Sequence, residues 1–251
     1  MQSTPAHAPL KAVLWDMDGT IVDTEPYWIA AERALVEAHG GTWSHEQAMQ
    51  LVGQSLTYSA GLLQKAGVVL GIRDIVDTLT EAVVSRVKEE VPWRPGAREL
   101  LEELHLAGVR CALVTMSEGP LARQVVASLP RPYFEVLVTG DTVTRGKPDP
   151  EAYLTAVDLL RERDAALQIG NCVALEDSGP GVAAAVASGV ATVAIPHIVP
   201  LPEHPAYARW NSLAGRSVAD LEELLAPGGS RGSDGEAAAL EQTAALGTAR
   251  G

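Results

Sequence analysis

The stretch Ala12-Val13-Leu14-Trp15-Asp16-Met17-Asp18-Gly19-Thr20 decides the reading of the fold. Four apolar residues run straight into two acids, a glycine and a threonine, the signature of a short buried strand that ends in a tight polar turn. Four further apolar runs have the same length and β-branched content: Cys111 to Thr115, Glu135 to Val138, Cys172 to Leu175 and Val190 to Ile195. Helical patterns separate the later ones. Ala97 to Ala107 carries leucine at 100, 101 and 104 and stops at Gly108, where a left-handed cap belongs. Pro120 to Leu129 follows the second strand, and Asp149-Pro150 opens a helix running through Leu160. Strands alternating with helices predict an α/β protein with a Rossmann-like, three-layer parallel sheet covered on both faces.

Between the first and second strands the alternation breaks, because residues 25–91 contain no convincing strand and read as helical throughout. Thr24 and Pro26 suit the start of one helix ending near Gly40, and Ser44 with Gln47 forms a capping box for a short second one. Ser55 begins a third that stops by Gly67; Asp74 caps a fourth, from Ile75 to Glu90, with Val76, Leu79, Val83, Val84 and Val87 on one face. These helices are expected to form an inserted cap over residues 24–93, hinged at Asp23-Thr24 and Pro92 to Gly96, on a core made of residues 1–23 and 94–226. Residues 227–251, rich in Gly, Ala and Ser, are expected to be a disordered tail.

Composition excludes several classes of function. Of 251 residues 47% are hydrophobic and 20% charged, which argues against a disordered chain or a rod. A formal charge of -13 leaves no electrostatic footprint for nucleic acid or an anionic membrane. Gly179 to Pro202 lacks Asp, Glu, Lys and Arg, yet its glycines and prolines mark a turn, a small-residue helix, a turn and a buried strand rather than a membrane span. Cys111 and Cys172 lie in apolar runs as small buried hydrophobes. Met1 to Lys11 has no apolar run of signal-peptide length, so a cytoplasmic protein is expected, monomeric or weakly dimeric.

Ligands of an open parallel sheet bind beyond the carboxyl ends of its strands. Asp16 and Asp18 follow the first strand, Thr115, Met116 and Ser117 end the second, Glu176-Asp177-Ser178 follow the fourth, and Lys147 precedes the helix before it. Carboxylates gathered at one edge repel by about 4 kcal/mol per pair at about 4 Å and an effective dielectric of about 20. Lys147 and a hard divalent cation with oxygen ligands, Mg²⁺ foremost, would neutralise them. One of Asp16 and Asp18 then suits attack on phosphorus and the other proton transfer. Thr115, the loop amides after Asp16 with Gly19 among them, Met116 and Lys147 suit the phosphoryl oxygens.

The segment from Asp16 through Asp23 resembles the first signature motif of the haloacid dehalogenase superfamily. Thr115, Lys147 within Gly146-Lys147-Pro148-Asp149-Pro150, and Glu176-Asp177-Ser178 resemble the second, third and fourth, in order, over roughly Lys11 to Leu225. The helical insert resembles the cap of the phosphoglycolate phosphatase and β-phosphoglucomutase-like branch. The resemblance implies Asp16 as nucleophile forming an aspartyl phosphate, Asp18 as general acid and base, and Thr115 and Lys147 as phosphate binders. It implies Mg²⁺ held by Asp16, the Asp18 carbonyl and Asp177, with Glu176 nearer the periphery. The name-giving dehalogenases lack the second aspartate, so Asp18 points to phosphate esters and a small phosphorylated metabolite.

Mutases of that branch resemble one another in a cap histidine and a cap arginine whose places Trp28 and Leu56 take here, which favours a hydrolase of a monophosphate. The family places substrate selection near Gly53, Gln54 and Ser55, and Trp28 and Trp43 fall either in the cavity or in the cap core. His39, His45, His105, His197 and His204 show no metal spacing. A signalling receiver domain has its acceptor aspartate after the third strand and no helical insert. A third reading, a non-catalytic relative that binds a metabolite or protein, stays as an alternative, though such chains usually lose a motif and none is lost here.

Overall fold

The computed structural model describes residues 9–226, so the expectation for 227–251 falls outside the described residues. Among them, six strands form one sheet in the order β3-β2-β1-β4-β5-β6, parallel at each pairing. They are β1 (Ala12–Trp15), β2 (Arg110–Val114), β3 (Phe134–Val138), β4 (Cys172–Glu176), β5 (Ala191–Ala194) and the two-residue β6 (Ala208–Arg209). β1 lies between β2 and β4. Its Trp15 is in register with Leu113 on one side and Leu175 on the other, so the three strands end together.

Side chains alternate across this sheet with the period of two that a pleated strand imposes. Val13, Trp15, Cys111, Leu113, Val173 and Leu175 face one core, which includes residues of α5 (Ala97–Leu106), α6 (Gly119–Ala127) and α9 (Val218–Glu223). Ala12, Leu14, Ala112, Val114 and Ala174 face the other, against α7 (Glu151–Arg161) and α8 (Gly179–Ala187). With both faces covered, each strand of the middle trio reads as a continuous apolar run. That is the sandwich of three layers the alternation predicts.

Between β1 and α5 the chain makes α1 (Glu25–Ala38), α2 (His45–Met49), α3 (Leu56–Lys65) and α4 (Ile72–Glu89), an inserted helical cap. Trp28, Leu35 and Val36 of α1, Ala60 and Leu63 of α3, and Ile75, Val76, Leu79, Val83 and Val87 of α4 are buried. Ser44 and Gln47 form the capping box, and the Ser55 hydroxyl accepts from the Tyr58 amide. The two connections to the sheet run side by side: the Asp23 amide donates to the Pro92 carbonyl at 2.8 Å and the Arg94 amide to that of Ile21 at 2.8 Å.

Several local expectations shift. α4 begins a turn early, after an extended Gly71, and Asp74 sits inside its first turn, where a negative charge meets the amide end of the helix. Pro150 is the cap residue of α7, and Asp149 serves it from one step further back, accepting from the Glu151 amide at 2.9 Å. β6, too short to show a pattern in sequence, exists through its pairing with β5. Cys111 and Cys172 are buried free thiols. No helix of the described residues is long and apolar enough to cross a membrane.

Candidate active site

β1 reaches the site through a turn that its own backbone closes. The Asp16 amide still bonds across to the Leu175 carbonyl at 3.0 Å, and the Met17 carbonyl then accepts the amides of Thr20, Ile21 and Val22. Met17 is fully buried beneath this turn. Gly19 takes a left-handed φ of 86°, and a Cβ there would lie 1.9 Å from Oδ2 of Asp177. Conformation and space both demand glycine, because only a bare backbone lets the β1 turn approach the carboxylate at the end of β4.

The paired aspartates enter different surroundings. Oδ1 of Asp16 accepts from Nζ of Lys147 at 2.7 Å. Oδ2 of Asp18 accepts from the hydroxyls of Ser117 at 2.7 Å and Thr115 at 3.3 Å, while its Oδ1 accepts from the hydroxyl of Thr24. Thr24 was expected to cap α1; its hydroxyl turns instead to Asp18, and α1 has no side-chain cap. The Thr115 oxygen in turn accepts the Ser117 amide at 3.0 Å, which fixes the loop after β2.

Lys147, almost fully enclosed, is the positive centre. Its Nζ donates to Asp16, to the Val114 carbonyl at 2.8 Å and to Oε1 of Glu176 at 2.5 Å. Its backbone amide rests on the sulfur of Met116 at 3.2 Å. Glu176 is completely buried and also accepts from the Tyr153 phenol at 2.6 Å and from the Ser178 hydroxyl at 3.4 Å. Asp177 forms no hydrogen bond or ion pair among the described residues.

Charge is out of balance here. Burial, then the neighbouring Glu176, push the Asp16 carboxyl up to about 8 against the pull of Lys147. Burial, then Asp16 and Glu176, hold that of Asp177 well above the usual carboxylate range. Burial opposes the charge on Lys147, yet Asp16 and Glu176 outweigh it and keep the ammonium above the ordinary lysine range. One lysine thus faces the buried carboxylates of Asp16 and Glu176 and the half-buried one of Asp177, and each of the three presents an oxygen within 4.8 Å of the others. An all-oxygen donor set carrying surplus negative charge fits a hard divalent cation. Glu176 gives Oε1 to both Lys147 and Tyr153 and Asp16 gives Oδ1 to Lys147, which leaves the second oxygen of Asp16 and both oxygens of Asp177 without a hydrogen bond among the described residues.

On the cap side, Gly53 comes over the loop after β4, where an added Cβ would lie 3.8 Å from that of Ser178. Gln54 is exposed, Ser55 caps α3, and Trp28 is packed in the buried cluster. Trp43, buried as well, donates to Glu32.

Sequence reading passed over two residues. Glu25, in the first turn of α1, lines an open groove of about 570 Å³ with Ile29, Arg33, His45, Met49 and Ile198. Burial, then the charges of Asp18, Glu32 and Asp23, push its carboxyl up to about 8. Its position between Thr24 and Pro26 was the available signal. Tyr153 reads as core because it shares the stripe of Ala156, Val157 and Leu160; a lone phenol in an aliphatic stripe was the only hint.

The arrangement has the parts of a phosphoryl-transfer site: two carboxylates in unlike environments, a buried lysine, and a loop of hydroxyls and amides at one sheet edge. Residues 10–189 match the family model described as haloacid dehalogenase-like hydrolase. A phosphorylated carbohydrates phosphatase of Thermotoga maritima is 32% identical over 186 residues, covering 72% of this chain and 82% of that protein. Hexitol phosphatase A of Escherichia coli K12 is 35% identical over 196 residues, covering 74% and 82%. Among solved structures, CbbY from Rhodobacter sphaeroides in complex with phosphate superposes with a TM-score of 0.73 at 28% identity, over 82% of this chain and 96% of that one.

Proposed function

The chain belongs to the haloacid dehalogenase-like hydrolases, and from that premise we propose that it is a Mg²⁺-dependent phosphatase of a small phosphorylated carbohydrate, working through an aspartyl phosphate on Asp16. The observation that carries this reading is the unequal treatment of the two aspartates. Asp16 is aimed by a buried ammonium, as a nucleophile beside phosphoryl oxygens must be, while Asp18 is gripped by hydroxyls, as a proton-transfer group must be.

In the first step an oxygen of Asp16 bonds to phosphorus as the bond to the leaving oxygen breaks, and Asp18 gives that oxygen its proton. In the second, Asp18 takes a proton from water as the water oxygen bonds to phosphorus, and the aspartyl bond breaks to release phosphate. Lys147, the Thr115 hydroxyl and the amides around Gly19 and Met116 hold the phosphoryl oxygens. Asp16, Asp177 and the Asp18 carbonyl would hold Mg²⁺, which when bound supplies positive charge to offset the phosphoryl group and the carboxylates. Residues 24–93 act as a cap on a core of 1–23 and 94–226, with Gly53, Gln54 and Ser55 facing the substrate's far end and closure excluding water. Two relatives named for phosphorylated carbohydrates and hexitols support the substrate class.

The test is phosphate release from an aryl phosphate and a panel of phosphorylated sugars, sugar alcohols and glycolate, with Mg²⁺ or with chelator. Metal-dependent release absent from pure Asp16→Asn is expected. Isomerisation of a sugar phosphate without release would mark a mutase instead, and undiminished release by Asp16→Asn would remove that residue from the nucleophile's role.

A further inference from the structure

We infer that Tyr153 is a positioning residue that sets the place of Lys147 by holding Glu176, a role that rests on the reading of Lys147 as a phosphoryl-binding lysine.

An ammonium has three protons, and those of Lys147 have three acceptors: Oδ1 of Asp16, the Val114 carbonyl and Oε1 of Glu176. The carbonyl is fixed by the sheet. Glu176 is a long side chain in a fully buried space, and its direction has to be set by what surrounds it. The Tyr153 phenol donates at 2.6 Å to the same Oε1 that Lys147 uses at 2.5 Å. The Ser178 hydroxyl reaches Oε2 at 3.4 Å, and Gly181 leaves room for the carboxylate, since a Cβ there would lie 1.9 Å from Oε2.

Tyrosine is suited to this because its ring, fully buried on α7, has few rotamers and carries its hydroxyl at a fixed reach. The ring also lies under the ammonium, 5.3 Å from Nζ to the centroid. Tyr153 stands six residues beyond Lys147, so one segment supplies the lysine and clamps its partner. Without the hydroxyl, Oε1 keeps only the ammonium; the carboxylate then follows the lysine rather than holding it, and Asp16 loses a fixed neighbour.

Tyr153→Phe removes the hydroxyl and keeps the ring. The first readout needs no substrate: the ammonium signal of Lys147 in ¹H–¹⁵N spectra, assigned by its disappearance in Lys147→Arg. It is expected to shift and exchange faster with water in Tyr153→Phe, and an unchanged signal overturns the inference. The second is kinetic, on whichever compound the wild type hydrolyses. We expect kcat to fall about ten- to a hundredfold, the usual effect of losing a partner that orients a site residue, with KM little changed and the urea midpoint lowered only as far as the loss of one buried hydrogen bond requires. Adding Tyr153→Phe to Glu176→Gln should cost nothing further. A lowered midpoint with kcat intact would mean packing alone, and a full additional loss on Glu176→Gln would mean that Tyr153 acts by another route; either overturns the inference. If no phosphate ester turns over while the ammonium signal responds as expected, the positioning stands and the phosphatase reading falls.

Discussion

Glu32 gives the protein a pH dependence that the site does not explain. It lies on α1, 4% exposed, and its one hydrogen bond is from the Trp43 indole nitrogen at 3.3 Å. Burial pushes its carboxyl from 4.5 up to about 7, against the opposite pull of the indole hydrogen bond. The folded chain therefore keeps a proton that the unfolded chain releases. Below the unfolded value both states are protonated and nothing is lost; as pH rises from about 4.5 through about 7 the folded state falls behind, and above that the loss is constant. A shift of that size corresponds to about 3 kcal/mol at neutral pH.

Glu32→Gln removes the ionisation and keeps an acceptor for Trp43. Its amide hydrogens lack the partner that a carboxyl does not need, a pH-independent cost of about 1 to 3 kcal/mol. The slope, not the offset, is thus diagnostic. In urea unfolding at pH 5, 6, 7 and 8, the stability of Glu32→Gln relative to wild type is expected to climb by about 2 to 3 kcal/mol across the range, with equal m-values. Asp16 and Asp177, whose carboxyls are raised in the same direction without help from Glu32, are common to both proteins and cancel, whereas Glu25, which the Glu32 charge helps to raise, is partly relieved in the variant and adds to the climb. Parallel stability curves would refute the reasoning, because they would mean that Glu32 ionises alike in both states.

Gly19→Ala should abolish turnover and destabilise the fold by at least about 1 to 2 kcal/mol, the cost of a left-handed alanine, before the overlap with Asp177 is counted; kinetics and urea unfolding check both, and retained activity would contradict the close approach. Asp177→Asn removes a half-buried, desolvated carboxylate that has no ion pair of its own among the described residues, so in chelator at pH 8 its melting temperature should rise above wild type, while the stabilisation conferred by added Mg²⁺ should shrink; a lower melting temperature in chelator would speak against an unpaired acid. Arg73 makes a two-pronged pair with Glu118 at 2.6 and 2.7 Å between α4 and the start of α6, but it is half exposed. Arg73→Ala should cost no more than about 1 kcal/mol in urea unfolding, with the difference fading in high salt.

The sequence by itself determined what depends on neighbours along the chain. The runs at Ala12 to Trp15 and Cys172 to Leu175 are apolar without alternation because both sheet faces are covered, so the strands and the three layers were legible from local pattern, while the order of the strands in the sheet was not. Polar residues at the ends of β1, β2 and β4 placed Asp16, Thr115 and Glu176 at one edge once the sheet was parallel. The capping box at Ser44 and the stop at Gly108 were equally local. Tertiary structure decided the rest. Lys147 meets Asp16 across 131 residues and Asp18 meets Ser117 across 99, separations at which no periodicity carries information. Thr24 read as a helix cap because caps are local, yet the approach of Asp18 offered its hydroxyl a charged acceptor, and a hydrogen bond to a charge outweighs one to an amide. Tyr153 looked like core because the ring is core; only the fold brings a buried carboxylate to its hydroxyl, and a buried carboxylate without donors is too costly to leave alone.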